Sequence, residues 1–119
     1  MVQILGDIHG DFQKLYMKAM AVTDTTIIQV GDFGAGFKKR ERFDEDMHDI
    51  NKRLVKNNNQ LLVIRGNHDD PAYFDGTYNF SNIEFLKDYT VRNIEGRNYL
   101  FVGGAISIDR IIRKSGVEY

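Results

Sequence analysis

Three short loops hold the residues of this chain that can do chemistry. Gly6-Asp7-Ile8-His9-Gly10 offers a carboxylate and an imidazole, and Gly31-Asp32-Phe33-Gly34 a second carboxylate. Gly66-Asn67-His68-Asp69 adds an amide, another imidazole and a third carboxylate. Carboxylate, imidazole and amide oxygen together suit a divalent transition metal such as Mn, Fe or Zn. The chain has no cysteine, so any metal must rest on oxygen and nitrogen donors. Asp7 and His9 are two residues apart, a spacing that puts both side chains on one side of extended backbone and within reach of one ion. The amide of Asn67 can ligate through its oxygen while its NH₂ donates to a phosphate oxygen. Plainer roles exist for each residue taken alone. Asp7 can cap a helix, His9 can be a surface imidazole, Asp32 can form a turn, and Asn67 can sit in a left-handed turn. Their recurrence in three matching loops favours the metal site.

Each loop directly follows an apolar run of strand type: Val2-Gln3-Ile4-Leu5, Thr26-Ile27-Ile28-Gln29-Val30 and Gln60-Leu61-Leu62-Val63-Ile64. Between the first two runs, Phe12, Leu15, Tyr16, Ala19 and Met20 recur at helical spacing, predicting a helix to about Ala21 capped by Gly10 or Asp11. Phe43, Met47, Ile50 and Leu54 predict a second helix from about Arg40 to Asn57, with Asn57-Asn58-Asn59 as its stop. A β-α-β-α-β order of this kind predicts an α/β fold with a parallel sheet, right-handed crossovers and flanking helices. The carboxyl ends of its strands share one edge, which brings the three loops together. Beyond Pro71 the period shortens. Residues 83–86, 89–94 and 98–102 read as short strands, and Glu95-Gly96-Arg97-Asn98 supplies the turn of a C-terminal β-hairpin.

Composition narrows the classes. At 119 residues one domain is the ceiling, and 42% hydrophobic residues suffice for a modest core. A net charge of −1 gives no general attraction to nucleic acid or acidic membrane, so nucleic acid enters only as a substrate. No apolar run approaches the ~20 residues of a membrane span. The chain enters a strand at Val2, leaving no room for a signal peptide, so the expected compartment is the cytoplasm.

The GDIHG, GDFG and GNHD motifs, in this order and each after a strand, resemble the calcineurin-like metallophosphoesterase superfamily. The resemblance is specific over about the first 70 residues. It continues to Gly103-Gly104-Ala105-Ile106-Ser107-Ile108-Asp109-Arg110, which is similar to a stretch in some bacterial and phage members. It implies hydrolysis of phosphodiesters or phosphomonoesters by metal-activated water at two divalent ions ~3.5–4 Å apart, with manganese first and iron or zinc as alternatives. Asp7, His9, Asp32 and Asn67 would be the metal ligands, and Asp32 the bridging carboxylate. His68 would be the general acid at the leaving-group oxygen. Arg65 and Asn67 are candidates for binding the substrate phosphate, although a packing role for Arg65 is equally open. Asp69 would orient the His68 ring or cap the segment after it.

The chain also departs from the pattern. In GDFGAG, Ala35 and Gly36 stand where protein serine/threonine phosphatases place Asp and Arg, which lowers the odds of that substrate class. The superfamily pattern ends with a later lone His and a G-H-x-H, but the histidines here are His9, His48 and His68. This predicts a single domain over residues 1–119, incomplete at its C-terminus, as the front portion of a metallophosphoesterase β-sandwich. It also predicts weak activity of the chain alone and a homodimer through an exposed sheet face or edge. The rival readings are a catalytically weak metal-binding or assembly module of the same fold, and a nucleotide-binding βαβ module. The second is disfavoured because neither first loop spells G-x-G-x-x-G.

Overall fold

The computed structural model describes residues 1–109 apart from Asp7, His9, Asn67, His68 and Gly104, with backbone alone over 105–109. In chain order the elements are β1 (Val2–Leu5), α1 (Phe12–Ala21), β2 (Thr26–Gln29), α2 (Arg40–Lys56), β3 (Gln60–Val63), a 3-10 turn (Pro71–Phe74), β4 (Ile83–Phe85), β5 (Thr90–Ile94), β6 (Arg97–Val102) and β7 (Ala105–Asp109). β1, β2, β3 and β4 form a parallel sheet in that spatial order, and β5, β6 and β7 an antiparallel one.

The expected α/β architecture is present and is larger at both sheets. β4 extends the parallel sheet, its Leu61–Ile83 and Val63–Phe85 pairs continuing the β3 register. β7 turns the hairpin into a three-stranded sheet. The hairpin turn is the two-residue loop Glu95-Gly96, with φ of 52° and 86°, between the paired Ile94 and Arg97. Positive φ at both central residues gives the twist that suits a two-residue hairpin.

The parallel strands alternate their side chains between two cores. Ile27, Leu61, Val63, Ile83 and Phe85 join Phe12, Leu15 and Ala19 of α1 and Phe43, Met47, Ile50 and Leu54 of α2. The α2 stripe is the expected one. On α1, Met20 is 46% exposed because the helix turns its last apolar position away from the sheet. On the opposite face Ile28, Leu62, Ile64 and Leu86 pack against Tyr99 and Phe101 of β6. Among the described residues three ion pairs link the sheets: Arg92 of β5 donates to Glu84 of β4, Arg65 to Asp88 at 3.0 Å, and the Met1 ammonium, directly before β1, to Glu95 in the turn after β5 at 2.5 Å. Ile4 on edge strand β1 remains 55% exposed.

Helix ends correct one expectation. Asp11 is the residue before α1, but its side chain makes no cap hydrogen bond. The asparagine triplet does more than stop α2. Buried Asn59 accepts from the Thr25 N–H at 3.0 Å and donates to the carbonyls of Ala19 and Val22. Asn57 donates to the same two carbonyls. Together they tie the end of α1 and the start of β2 to the end of α2.

Replacing Asn59 with Ala leaves the buried Thr25 N–H without its acceptor, so the loss should be about 2–3 kcal/mol of unfolding free energy. Urea denaturation measures it. A change within about 0.5 kcal/mol, the scale of a neutral surface substitution, would show that the triplet does not carry this junction.

Candidate active site

The three motif loops leave the carboxyl ends of β1, β2 and β3 and are tied to one another through their backbones. Between the first two, Gly10 N–H donates to the Phe33 carbonyl at 2.9 Å. Gln29, at the end of β2, donates through Nε2 to the carbonyl of Gly6 at 2.9 Å and of Gly31 at 2.8 Å. Between the second and third loops, Asp70 N–H donates to the Ala35 carbonyl at 2.9 Å.

Asp69 is the strongest tie. Its carboxylate is 4% exposed and accepts from four backbone N–H groups. Oδ1 takes Gly34 at 2.7 Å and Ala35 at 2.9 Å, while Oδ2 takes Phe33 at 3.0 Å and Gly66 at 2.9 Å. Three successive N–H groups of one loop can point at one carboxylate only if that loop curls into a nest. Burial of the charge is offset by these donors, each hydrogen bond to a charged group contributing about 1.5–3 kcal/mol. Asp69 therefore reaches well beyond its neighbours in sequence. It grips the second loop.

That grip sets the backbone around Asp32. Gly31 has φ 76° and Asp32 φ 33°, a left-handed conformation that Asp tolerates better than most residues. Strain of this kind persists where the surroundings over-determine it, often at functional sites. Phe33 anchors the loop from below, fully buried with its ring 5.1 Å from Phe12 and 5.7 Å from Phe85. Gly66 is required from above. A Cβ there would lie 2.0 Å from the Asp32 nitrogen and 2.5 Å from its Oδ1. The third loop thus passes against Asp32 with no room for a side chain.

The structure brings Asp32, Gly66 and Asp69 together. Asp7, His9, Asn67 and His68 lie outside the described residues, though Gly6, Gly10, Gly66 and Asp69, which flank them in sequence, are part of the tied cluster. Arg65 is engaged in packing: its guanidinium pairs with Asp88, and a Cβ on Gly103 would lie 2.9 Å from its Nη2. His48 is exposed, edge-on to Phe80 at 4.8 Å. Lys38 pairs with Asp46 and lies over Phe12. Arg40 stacks on Tyr73 and Tyr78, so neither cation is simply solvated. Burial, and then the Asp44 carboxylate that accepts its hydroxyl, push the Tyr78 phenol well above the usual range. A groove of about 640 Å³ runs between α1 and α2 from Gly10 to Lys56. Its walls mix Asp11, Asp46 and Asp49 with Lys52, Arg53 and Lys56, and it contains neither Asp32 nor Asp69.

The family model for calcineurin-like phosphoesterase matches residues 2–118. The chain belongs to the calcineurin-like phosphoesterase family. Membership implies metal-dependent hydrolysis of phosphoesters in general. No curated protein and no solved structure matches the chain. No helix among the described residues is long and apolar enough to cross a membrane.

The residues present fit a divalent metal by their chemistry. The described members of the cluster include one carboxylate of the expected donor set, Asp32, against which Gly66 packs so closely that a Cβ there would lie 2.0 Å from its nitrogen. Among the described residues no group of three or more His, Asp or Glu is assembled that could hold an ion. Asp32 is the one expected ligand within them.

Sequence reasoning missed Gln29, and a signal was available. It is the polar residue inside the apolar run Thr26-Ile27-Ile28-Gln29-Val30, and it is fully buried. Its Oε1 has no hydrogen-bond partner among the described residues. Its two donated neutral hydrogen bonds contribute about 0.5–1.5 kcal/mol each.

Asp69→Asn puts an NH₂ among N–H donors and should cost at least about 3 kcal/mol, the loss of two charge-assisted hydrogen bonds. Urea unfolding of the metal-free protein is the measurement. Wild-type stability in that variant would mean that the carboxylate does not hold the loops.

Proposed function

We propose that this chain carries the ligand set of a dinuclear metal centre for phosphoester hydrolysis, with a phosphodiester or phosphomonoester as substrate. The observation that carries the reading is Asp32, held in a left-handed conformation between the nest on Asp69 and the bare backbone of Gly66. A carboxylate at the meeting of two loops supports the reading that two ions share it. Asp7 and His9 would serve one ion with Asp32, and Asn67 the other. The bound ions, for which manganese is the first choice, would supply Lewis acidity at the phosphate and a water acidic enough to ionise near neutral pH.

The chain's own groups do the rest. Asn67 would donate its amide N–H to a phosphate oxygen. His68 would give a proton to the departing ester oxygen, a task suited to an imidazole titrating near neutrality. Asp69 would keep the peptide between His68 and the second loop in place by holding Gly66 and Phe33 on the same carboxylate oxygen. Ala35 and Gly36 leave the second loop without the charged pair of protein phosphatases, which favours a small or extended phosphoester over a folded phosphoprotein.

A pair of substitutions tests the reading. Asp32→Ala should abolish Mn²⁺-dependent hydrolysis of a generic aryl phosphodiester and lower the Mn²⁺ content found by elemental analysis. His68→Asn should keep the metal and lose about 10²–10⁴-fold in kcat, most for esters with poor leaving groups. Unchanged metal content in Asp32→Ala would refute the shared carboxylate. An equal loss for activated and unactivated esters in His68→Asn would refute the general acid.

A further inference from the structure

Gln29 joins the two aspartate loops from beneath. The β1–β2 register ends at the Leu5–Gln29 pair, and Val30 N–H still donates to the Leu5 carbonyl at 2.9 Å. Beyond that pair the strands enter their loops. The side-chain amide of Gln29 then spans both: one Nε2 lies 2.9 Å from the carbonyl that precedes Asp7 and 2.8 Å from the carbonyl that precedes Asp32. The NH₂ group has two hydrogens, and each carbonyl takes one.

No other side chain substitutes simply. A glutamate cannot donate when ionised, an asparagine is one carbon short, and lysine or arginine would bury a charge. The orientation of the amide is fixed, because flipping it would set Oε1 against two carbonyl oxygens. Oε1 is consequently left buried without a partner among the described residues. A residue placed for packing would be apolar here, as its neighbours Ile27 and Ile28 are. Gly6 is exposed and Gly31 half-buried, and both hydrogen bonds from Gln29 are part-buried, at the rim of the core. The polar contacts serve the loops more than the core.

We propose that Gln29 is a positioning residue, which fixes the spacing of the first and second motif loops and thereby of Asp7 and Asp32. The inference rests on the metal-centre reading for its purpose, but the bridge itself can be tested without metal. Gln29→Met keeps the length of the side chain and its packing and removes both donors. Gly10 N–H, which donates to the Phe33 carbonyl across the same two loops, reports their register.

In metal-free Gln29→Met, the Gly10 amide should exchange with solvent at least about tenfold faster while the thermal midpoint stays within a few degrees of wild type, since opening is local. Calorimetric titration with Mn²⁺ should then show dissociation constants raised at least about tenfold, as for loss of supporting contacts around a ligand. Unchanged Gly10 exchange and unchanged Mn²⁺ affinity would overturn the proposal. So would a loss of stability with Mn²⁺ affinity retained, which marks a merely structural residue. If wild type itself binds no Mn²⁺, the metal-centre reading fails, and the Gly10 exchange still decides whether the bridge sets the register. Should Gln29→Met not fold, the wild-type Nε2 protons give the answer by nitrogen-15 NMR. Slow exchange and a shift on adding Zn²⁺ are expected, and exchange at the rate of a free amide would overturn it.

Discussion

The carboxylate of Asp69, buried and surrounded by the N–H groups of Phe33, Gly34, Ala35 and Gly66, is the contact on which the geometry of the site depends. It joins a loop after β2 to a loop after β3, one side chain accepting only from backbone N–H groups. Loop glycines at positive φ, Gly34 at 110° and Gly36 at 91°, allow that curl. A buried carboxylate is costly unless donors surround it. Here three of the four donors belong to the loop that carries Asp32, so the cost of burial and the conformation of that loop are one arrangement.

Around that contact the fold works from two sides. The parallel ladder delivers the three loops to one edge, and the phenylalanines under it stop the second loop from sinking or lifting. Phe33 meets Phe12 of α1, Phe43 of α2 and Phe85 of β4, so a residue inside the Gly31–Gly34 loop is also part of the helical-face core. The antiparallel sheet covers the other face through Tyr99 and Phe101 and is fastened by Arg65–Asp88 and Arg92–Glu84. Arg65 stands directly before Gly66, so the fastening of the sheets reaches the base of the third loop.

Much of this is legible in the sequence, for physical reasons. The stripe Phe43-Met47-Ile50-Leu54 has the period of a helix lying on a sheet, and all four residues are buried. The runs before each glycine are short and mostly apolar, as strands of a largely covered parallel sheet require, and they pair in parallel as expected. The features hidden from sequence depend on distant partners. β4 is three residues long, and no period separates a parallel edge strand from the hairpin strands after it. In sequence β7 reads as a motif rather than a strand, because its partner β6 decides its conformation. Asp11 offers a cap and makes none. Adjacency places Asp69 beside His68, whereas its described contacts lie mostly some 35 residues back, in the second loop. Arg65 carries a charge suited to phosphate, and only the fold reveals that Asp88 engages it. Gln29 hides inside an apolar run, where its polarity is the clue.

Native-state hydrogen exchange on the wild-type, metal-free protein tests the role of Asp69 most directly. The amides of Phe33, Gly34, Ala35 and Gly66 lie in loops and would exchange quickly if solvent were their partner. If the carboxylate holds them, all four should be protected and should open as one unit, with a free energy close to that of global unfolding. Fast and mutually independent exchange of these four amides, with the β2 and β3 amides still protected, would contradict the account.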